Sequence, residues 1–164
     1  VDIGAQGSFT KVLSVALMFI GGCPGSTAGG IKTTTLVVLL VTVGSTLRGR
    51  EESVVLRHRF APGVVYKAMT VVLLGLGVVF ADACAFTLLN PQIRFIDLLY
   101  EAASAFGTAG LSAGVTGKLE PLSRIILCLT MFIGRVGPVS FGLSIMMKMK
   151  TAPSILPEGR MLIG

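Results

Sequence analysis

The stretch Ala105-Phe-Gly-Thr-Ala-Gly-Leu-Ser-Ala-Gly114 decides the reading of this chain, because it sets glycine-rich, irregular backbone between two apolar runs. Before it lies Phe95 to Phe106, apolar except for Asp97 and Glu101. As a helix this run is only about 15 Å long, half the hydrocarbon thickness of a bilayer. After it comes Ile125 to Met147, about 23 residues, long enough to cross a membrane. Irregular backbone at membrane depth persists only where it is buried in protein or lines a polar cavity, since each unpaired amide or carbonyl in lipid costs several kcal/mol. A half-length helix, then Thr-x-Gly-x-Ser, then a full span predicts a re-entrant pore helix over 95–106 and a cation filter over 107–112. In such a filter carbonyl oxygens replace the ion's hydration shell, and glycine permits the backbone angles that turn them inward. The carbonyl end of the short helix adds partial negative charge at the same place.

The composition makes a bilayer the solvent. Of 164 residues 52% are hydrophobic and 13% charged, with a mean hydropathy of +0.85, whereas soluble domains carry about 25% charged residues. The net charge of +6 does not point to nucleic acid, because the cations form no clustered polar face and there is no Trp. Their positions describe a topology instead. Arg48, Arg50, Arg57, Arg59 and Lys67 gather after the first apolar stretch, and Lys148, Lys150 and Arg160 follow the last. The positive-inside rule makes that side cytoplasmic. Lys11, Arg94, Lys118 and Arg124 fall on the other side, offset by Asp2, Asp97 and Glu120. Lys32 and Arg135 lie inside apolar stretches.

Val12 to Leu47 is too long to cross as one straight helix, at about 54 Å against about 30 Å of hydrocarbon. Gly21-Gly-Cys-Pro-Gly-Ser-Thr-Ala-Gly-Gly30 interrupts it, since proline lacks a backbone donor and glycine loses the most entropy on ordering. The expected form is a helix, an intramembrane loop over 21–35 and a second helix, so 1–47 reads as one broken span. A cytoplasmic basic loop over 48–63 follows. A second span, 64–89, stops at the breaker pair Asn90-Pro91. The last span covers 124–148 and leaves a cytoplasmic tail over 149–164. Cys23, Cys84 and Cys128 are widely spaced in apolar sequence, which predicts buried small side chains rather than a disulfide or metal framework. Asp82 is expected to face outward near the membrane surface.

An internal repeat is visible as well. Val12-Leu-Ser-Val-Ala-Leu-Met-Phe-Ile-Gly-Gly22 aligns with Ile125-Ile-Leu-Cys-Leu-Thr-Met-Phe-Ile-Gly-Arg135, preceded in each copy by a hydroxyl residue and a cation. On that alignment the counterpart of Gly110 falls just before Val1, so the chain is expected to be part of a longer polypeptide.

Phe106-Gly-Thr-Ala-Gly-Leu-Ser112, Met131-Phe-Ile-Gly-Arg-Val-Gly-Pro138 and Gly21-Gly-Cys-Pro-Gly-Ser-Thr-Ala-Gly-Gly-Ile-Lys-Thr-Thr-Thr35 closely resemble the Trk/Ktr/HKT superfamily of potassium uptake proteins, nearest to its KtrB type. The resemblance covers essentially the whole chain. It implies an all-α membrane fold of span, re-entrant pore helix, span repeats, four to a polypeptide. This chain would be the last, broken helix of the third repeat and the complete fourth, 64–148. The resemblance assigns Thr108, Ala109, Gly110, Leu111 and Ser112 to one quarter of the selectivity filter, with Ala109 where Val is usual. Gly25, Ser26, Thr27, Ala28, Gly29 and Gly30 become the loop that gates the pore, and Arg135 and Lys32 fixed charges beside it. It further implies potassium, and possible sodium, as transported ions held by filter carbonyls alone, with no cofactor in this chain. The implied partners are the missing N-terminal repeats, a second copy in a homodimer and a cytosolic nucleotide-binding ring of the KtrA/TrkA type. The setting would be a bacterial cell membrane, crossed several times.

Other classes fit less well. Gly25-Ser-Thr-Ala-Gly-Gly30-Ile-Lys-Thr33 only superficially matches a phosphate loop, because Ile31 separates the glycine from the lysine that must reach the phosphates. His58 is the sole histidine, expected to be solvated, and no catalytic triad or paired-carboxylate arrangement is visible. A secondary transporter with discontinuous helices is the alternative, sodium-coupled or sodium-selective. It would place its breaks mid-span in paired segments rather than after a half-length helix.

Overall fold

The computed structural model describes residues 3–4, 6–49, 54–55, 58–59 and 62–137. The chain between 137 and 148, the tail over 149–164 and most of the basic loop lie outside the described residues. Five helices carry the fold: α1 (Ser8–Phe19), α2 (Thr33–Leu47), α3 (Pro62–Leu89), α4 (Phe95–Gly107) and α5 (Pro121–Val136), with a short 3-10 turn at Thr116–Lys118. Among the described residues one pair of short strands is present. Within the basic loop β1 (Val54–Val55) pairs antiparallel with β2 (His58–Arg59), Val54 opposite Arg59 and Val55 opposite His58.

α4 is the centre. It packs against α1, α3 and α5, while α2 lies along α3. From Asp97 to Gly107 its side chains are buried except that of Leu99, which is half-buried. Hydrocarbon gives little hydrophobic drive between helices, so small residues that let backbones approach closely matter more. α4 offers Ala102, Ala103, Ala105 and Gly107. A Cβ on Gly107 would lie 2.3 Å from the Met18 carbonyl oxygen of α1, and one on Gly134 of α5 would lie 2.0 Å from that of Phe106. Gly75 of α3 leaves room for the Phe106 ring, which stacks on Phe19 at 5.6 Å between centroids.

The outward faces are apolar instead of polar. Leu17, Leu40, Leu73, Phe80 and Leu88 are all exposed, and α3 holds the one described helix, Gly63–Leu89, long and apolar enough to cross a membrane. Several hydroxyls on these helices are closed internally. Thr46, Thr70 and Thr87 each donate to the carbonyl four residues back, as hydroxyls without water must.

Two junctions set the register of α4. At the end of α3, Asn90 is fully buried. Its side chain donates to Phe86 O and to Ser123 Oγ and accepts from the Glu120 amide at 2.9 Å. It thereby ties the end of α3 to the start of α5, whose first turn is Pro121, a position where the missing donor is harmless. At the start of α4, Asp97 sits in the first turn, favourable for an anion. Lys11 of α1, 1% exposed, donates to its Oδ1 at 2.6 Å and to the Gly4 carbonyl, while Arg94 donates to Oδ2 at 2.9 Å.

Lys11, counted only for the side of the membrane it marks, is buried in this ion pair. The structure corrects two readings of single residues. Asp82, expected to face outward, is buried and 2.6 Å from Thr130 Oγ1 of α5. Cys23, Cys84 and Cys128, expected to be buried, are exposed free thiols.

Candidate ion pathway: the strand after α4 and the loop between α1 and α2

α4 ends at Thr108, whose φ of 51° and ψ of 36° are left-handed, a place glycine usually takes. The Thr108 amide donates to Ala105 O, and the Ala109 amide reaches back to Ser104 O at 3.0 Å. That second bond spans the turn as in a Schellman cap. Ser104 also uses its side chain: Oγ accepts the Leu111 amide at 3.0 Å. One turn earlier, Glu101 Oε1 accepts the Ala113 amide at 3.1 Å and the Ser112 hydroxyl at 2.5 Å.

The amides of Thr108, Ala109, Leu111 and Ala113 therefore point back at α4. The carbonyls of Thr108, Ala109, Gly110, Leu111 and Ser112 accept no hydrogen bond from any described residue. Gly110, with φ of 71°, is exposed and has nothing within 4 Å of where a Cβ would stand. The result is a short run of carbonyl oxygens with no donor among the described residues, in a strand held to α4 through its amides. Free carbonyls of this kind are hard-cation ligands.

The loop between α1 and α2 meets this strand. Its neck is closed by a parallel bridge between Ile20 and Ile31, with the Ile31 amide on Phe19 O and the Thr33 amide on Gly22 O. Because the two legs run in parallel, α2 continues in the direction of α1. The neck needs glycine: a Cβ on Gly21 would meet the Gly29 carbonyl at 1.9 Å. Gly25 and Gly30 are left-handed, at φ of 83° and 74°. Within the loop the Ser26 amide donates to Cys23 O and the Ala28 amide to Ser26 Oγ, and Lys32 Nζ donates to Ala28 O at 2.7 Å. Gly25, Ser26 and Thr27 are exposed, whereas Gly29 and Gly30 are buried.

One bond joins loop and strand: the Gly29 amide donates to Thr108 Oγ1 at 2.7 Å. A Cβ on Gly29 would also press on that side chain and on the Gly134 carbonyl. The residues singled out in the sequence thus meet in space at Gly29, Thr108 and Gly134. Arg135, next in sequence, is exposed in the last turn of α5 and makes no hydrogen bond to the loop among the described residues. Lys32 is committed to Ala28 O. Sequence reasoning passed over Ser104, Glu101 and Lys11 as site-building residues. The available signal was polar side chains at helical spacing within a helix otherwise buried, which need internal partners.

Comparison with known proteins concerns the chain as a whole. The TrkH family, described as a cation transport protein family, matches residues 1–154. The chain is 38% identical to Ktr system potassium uptake protein B of Bacillus subtilis over 99% of its own length and 36% of the relative's. It is 34% identical to Ktr system potassium uptake protein D of the same organism, over 100% of this chain and 36% of the relative. Potassium/sodium uptake protein NtpJ of Enterococcus hirae is 34% identical over 93% of this chain and 35% of its own. The chain thus spans 36% of the length of the two Bacillus relatives. These relatives are named as transport proteins, not enzymes, and such proteins reside in membranes. With the family matching almost end to end, the chain belongs to the TrkH cation transport family, in the Trk/Ktr superfamily and KtrB-like.

Proposed function

We propose that this chain supplies the end of the third and the whole of the fourth pore repeat of a potassium uptake protein. Thr108, Ala109, Gly110, Leu111 and Ser112 form one quarter of its filter. The observation that carries the reading is the strand after α4, with its amides bound to Ser104 and Glu101 and its carbonyls unbound. α4 is also half the length of a span, and its carbonyl end adjoins the strand, so its dipole favours a cation there. Gly25, Ser26, Thr27, Ala28, Gly29 and Gly30 form the gate, tethered to the filter through the Gly29 to Thr108 bond. Opening breaks that bond and moves the exposed part of the loop aside. Arg135 and Lys32 set the electrostatic barrier for cations at this level.

The remaining filter quarters come from the other repeats of the same polypeptide. The assembly is a homodimer in the bacterial plasma membrane, docked on a cytosolic nucleotide-binding ring. Potassium, and sodium where it is coupled, is held by backbone carbonyls alone.

The test is Gly110→Ser in the complete transporter, assayed by potassium uptake and by potassium over sodium preference. No neighbour obstructs a side chain there, so the change acts through the left-handed backbone, at about 1–2 kcal/mol. Potassium preference should fall about tenfold. Unchanged uptake and preference would sink the filter reading. The name of the Enterococcus relative supports sodium involvement as a second reading; it requires potassium uptake to rise when sodium is added.

A further inference from the structure

Glu101 is 4% exposed on the centre of the molecule, and among the described residues no cation pairs with it. A carboxylate buried in a membrane protein is costly and calls for a reason. All of its bonds go to the end of the filter strand and the turn that follows it. Oε1 takes the Ser112 hydroxyl and the Ala113 amide, and Oε2 takes the Thr116 hydroxyl at 2.9 Å. Ser112 Oγ and Thr116 Oγ1 are themselves 2.8 Å apart, and Ser112 Oγ accepts the Gly114 amide. Ser104, three residues further along α4, holds the near half of the strand in the same manner.

We infer that Glu101 is a positioning residue for ion specificity: its side chain sets the spacing of the strand's far half, where Leu111 and Ser112 carry their carbonyls. This rests on the filter reading above. Discrimination between cations that differ little in size depends on the number and placement of the carbonyl dipoles. A strand suspended from two rigid helix positions keeps that placement; a strand held at Ser104 alone does not.

Shape and charge make opposite forecasts. Glutamine keeps the reach of Glu101 and can close the same ring, its amide nitrogen donating to Thr116 Oγ1, Thr116 to Ser112 Oγ, and Ser112 to the glutamine oxygen. Aspartate keeps the charge and is one methylene too short.

The experiment is a set of variants of the complete transporter, Glu101→Gln, Glu101→Asp, Glu101→Ala and Thr116→Val, read by the ratio of sodium to potassium uptake. That ratio does not depend on how much protein is made. Glu101→Gln should stay within about twofold of the parent, and Glu101→Asp and Glu101→Ala should raise the ratio about tenfold, the worth of one to two hydrogen bonds. Thr116→Val, an exposed position that leaves α4 intact, should raise it about threefold. It decides the matter if the Glu101 variants do not assemble. Aspartate like the parent with glutamine impaired, or an unchanged ratio in Glu101→Ala or Thr116→Val, would overturn the proposal. If Gly110→Ser changes the ratio while the Glu101 variants do not, this proposal fails and the filter reading stands. If Gly110→Ser is silent too, both fail.

Discussion

The strand over 108–113 and the loop over 21–30 are both glycine-rich backbone between helices, yet they are held in opposite ways. The strand is bound from behind along its length, to two residues of the most buried helix. The loop is bound at its neck, at Ile20 and Ile31, and at one contact near its end, Gly29 to Thr108. Between those points its own bonds are local turns. Glycine has two uses in both regions: Gly107 and Gly134 behind the strand, like Gly21 and Gly29 in the loop, are needed for room, whereas Gly110 in the strand and Gly25 in the loop hold left-handed angles in open space. Many bonds across a short segment fix positions, while a few bonds at the ends of a long one allow it to move as a unit. That difference suits a filter on one side and a gate on the other.

The largest effect should come from testing the two uses of glycine. In an unobstructed helix Gly→Ala is stabilising by roughly 0.5–1 kcal/mol. At Gly134 the added carbon would meet backbone, the Phe106 carbonyl, which cannot turn away without unwinding α4. Gly134→Ala should therefore destabilise by about 2–3 kcal/mol and lower the thermal midpoint of the purified transporter. Gly25→Ala meets no neighbour and should cost about 1 kcal/mol of local strain, with no loss of assembly. Equal midpoints for the two variants would mean that the close packing behind the strand is not what holds it.

The sequence disclosed the elements better than their attachments. The half-length helix, the Asn90-Pro91 stop and the Gly-Pro interruption were legible because breakers act locally. The meeting of Gly29 with Thr108 was not, since no periodicity links residues so far apart. Charge counting weighs each cation alone, so for Lys11 it says nothing of a partner such as Asp97. Asp82 was misread for the same reason: its match is a threonine on another helix, and a hydroxyl leaves no charge pattern. Gly134 had a signal that went unused, because glycine inside a helix costs about 1 kcal/mol against alanine and implies a reason for being there.

A middle-sized effect is expected where the two regions touch. Thr108→Val removes the acceptor of the Gly29 amide while preserving the branched shape of the side chain, and Thr108→Ser restores the oxygen. If that bond helps to hold the loop closed, Thr108→Val should raise uptake in the resting transporter about fivefold, the worth of one hydrogen bond, and Thr108→Ser should not. Equal uptake in valine and serine variants would show that the loop is held by its neck alone.

The smallest effect near neutrality, and the most one-sided, concerns acid. The start of α4 depends on Asp97. Burial raises its carboxyl, but the Lys11 bond and charge, joined by Arg94, outweigh burial and hold it below the ordinary value of 3.8. A carboxylate depressed in the folded state contributes stability that is complete above its unfolded pKa and is lost as the pH falls through the folded one. Stability carried by this ion pair should accordingly be flat from pH 8 to about pH 5 and decline below about pH 4. The loop over 21–30 contains no carboxylate or histidine, so its own bonds have no such dependence. Comparing parent and Asp97→Asn in thermal melts across that range tests the assignment. The two curves should converge as the pH drops, because protonation removes from the parent the charge that the variant already lacks. A gap that stays constant down to pH 3 would mean that Asp97 holds α4 through shape and hydrogen bonding, with its charge irrelevant.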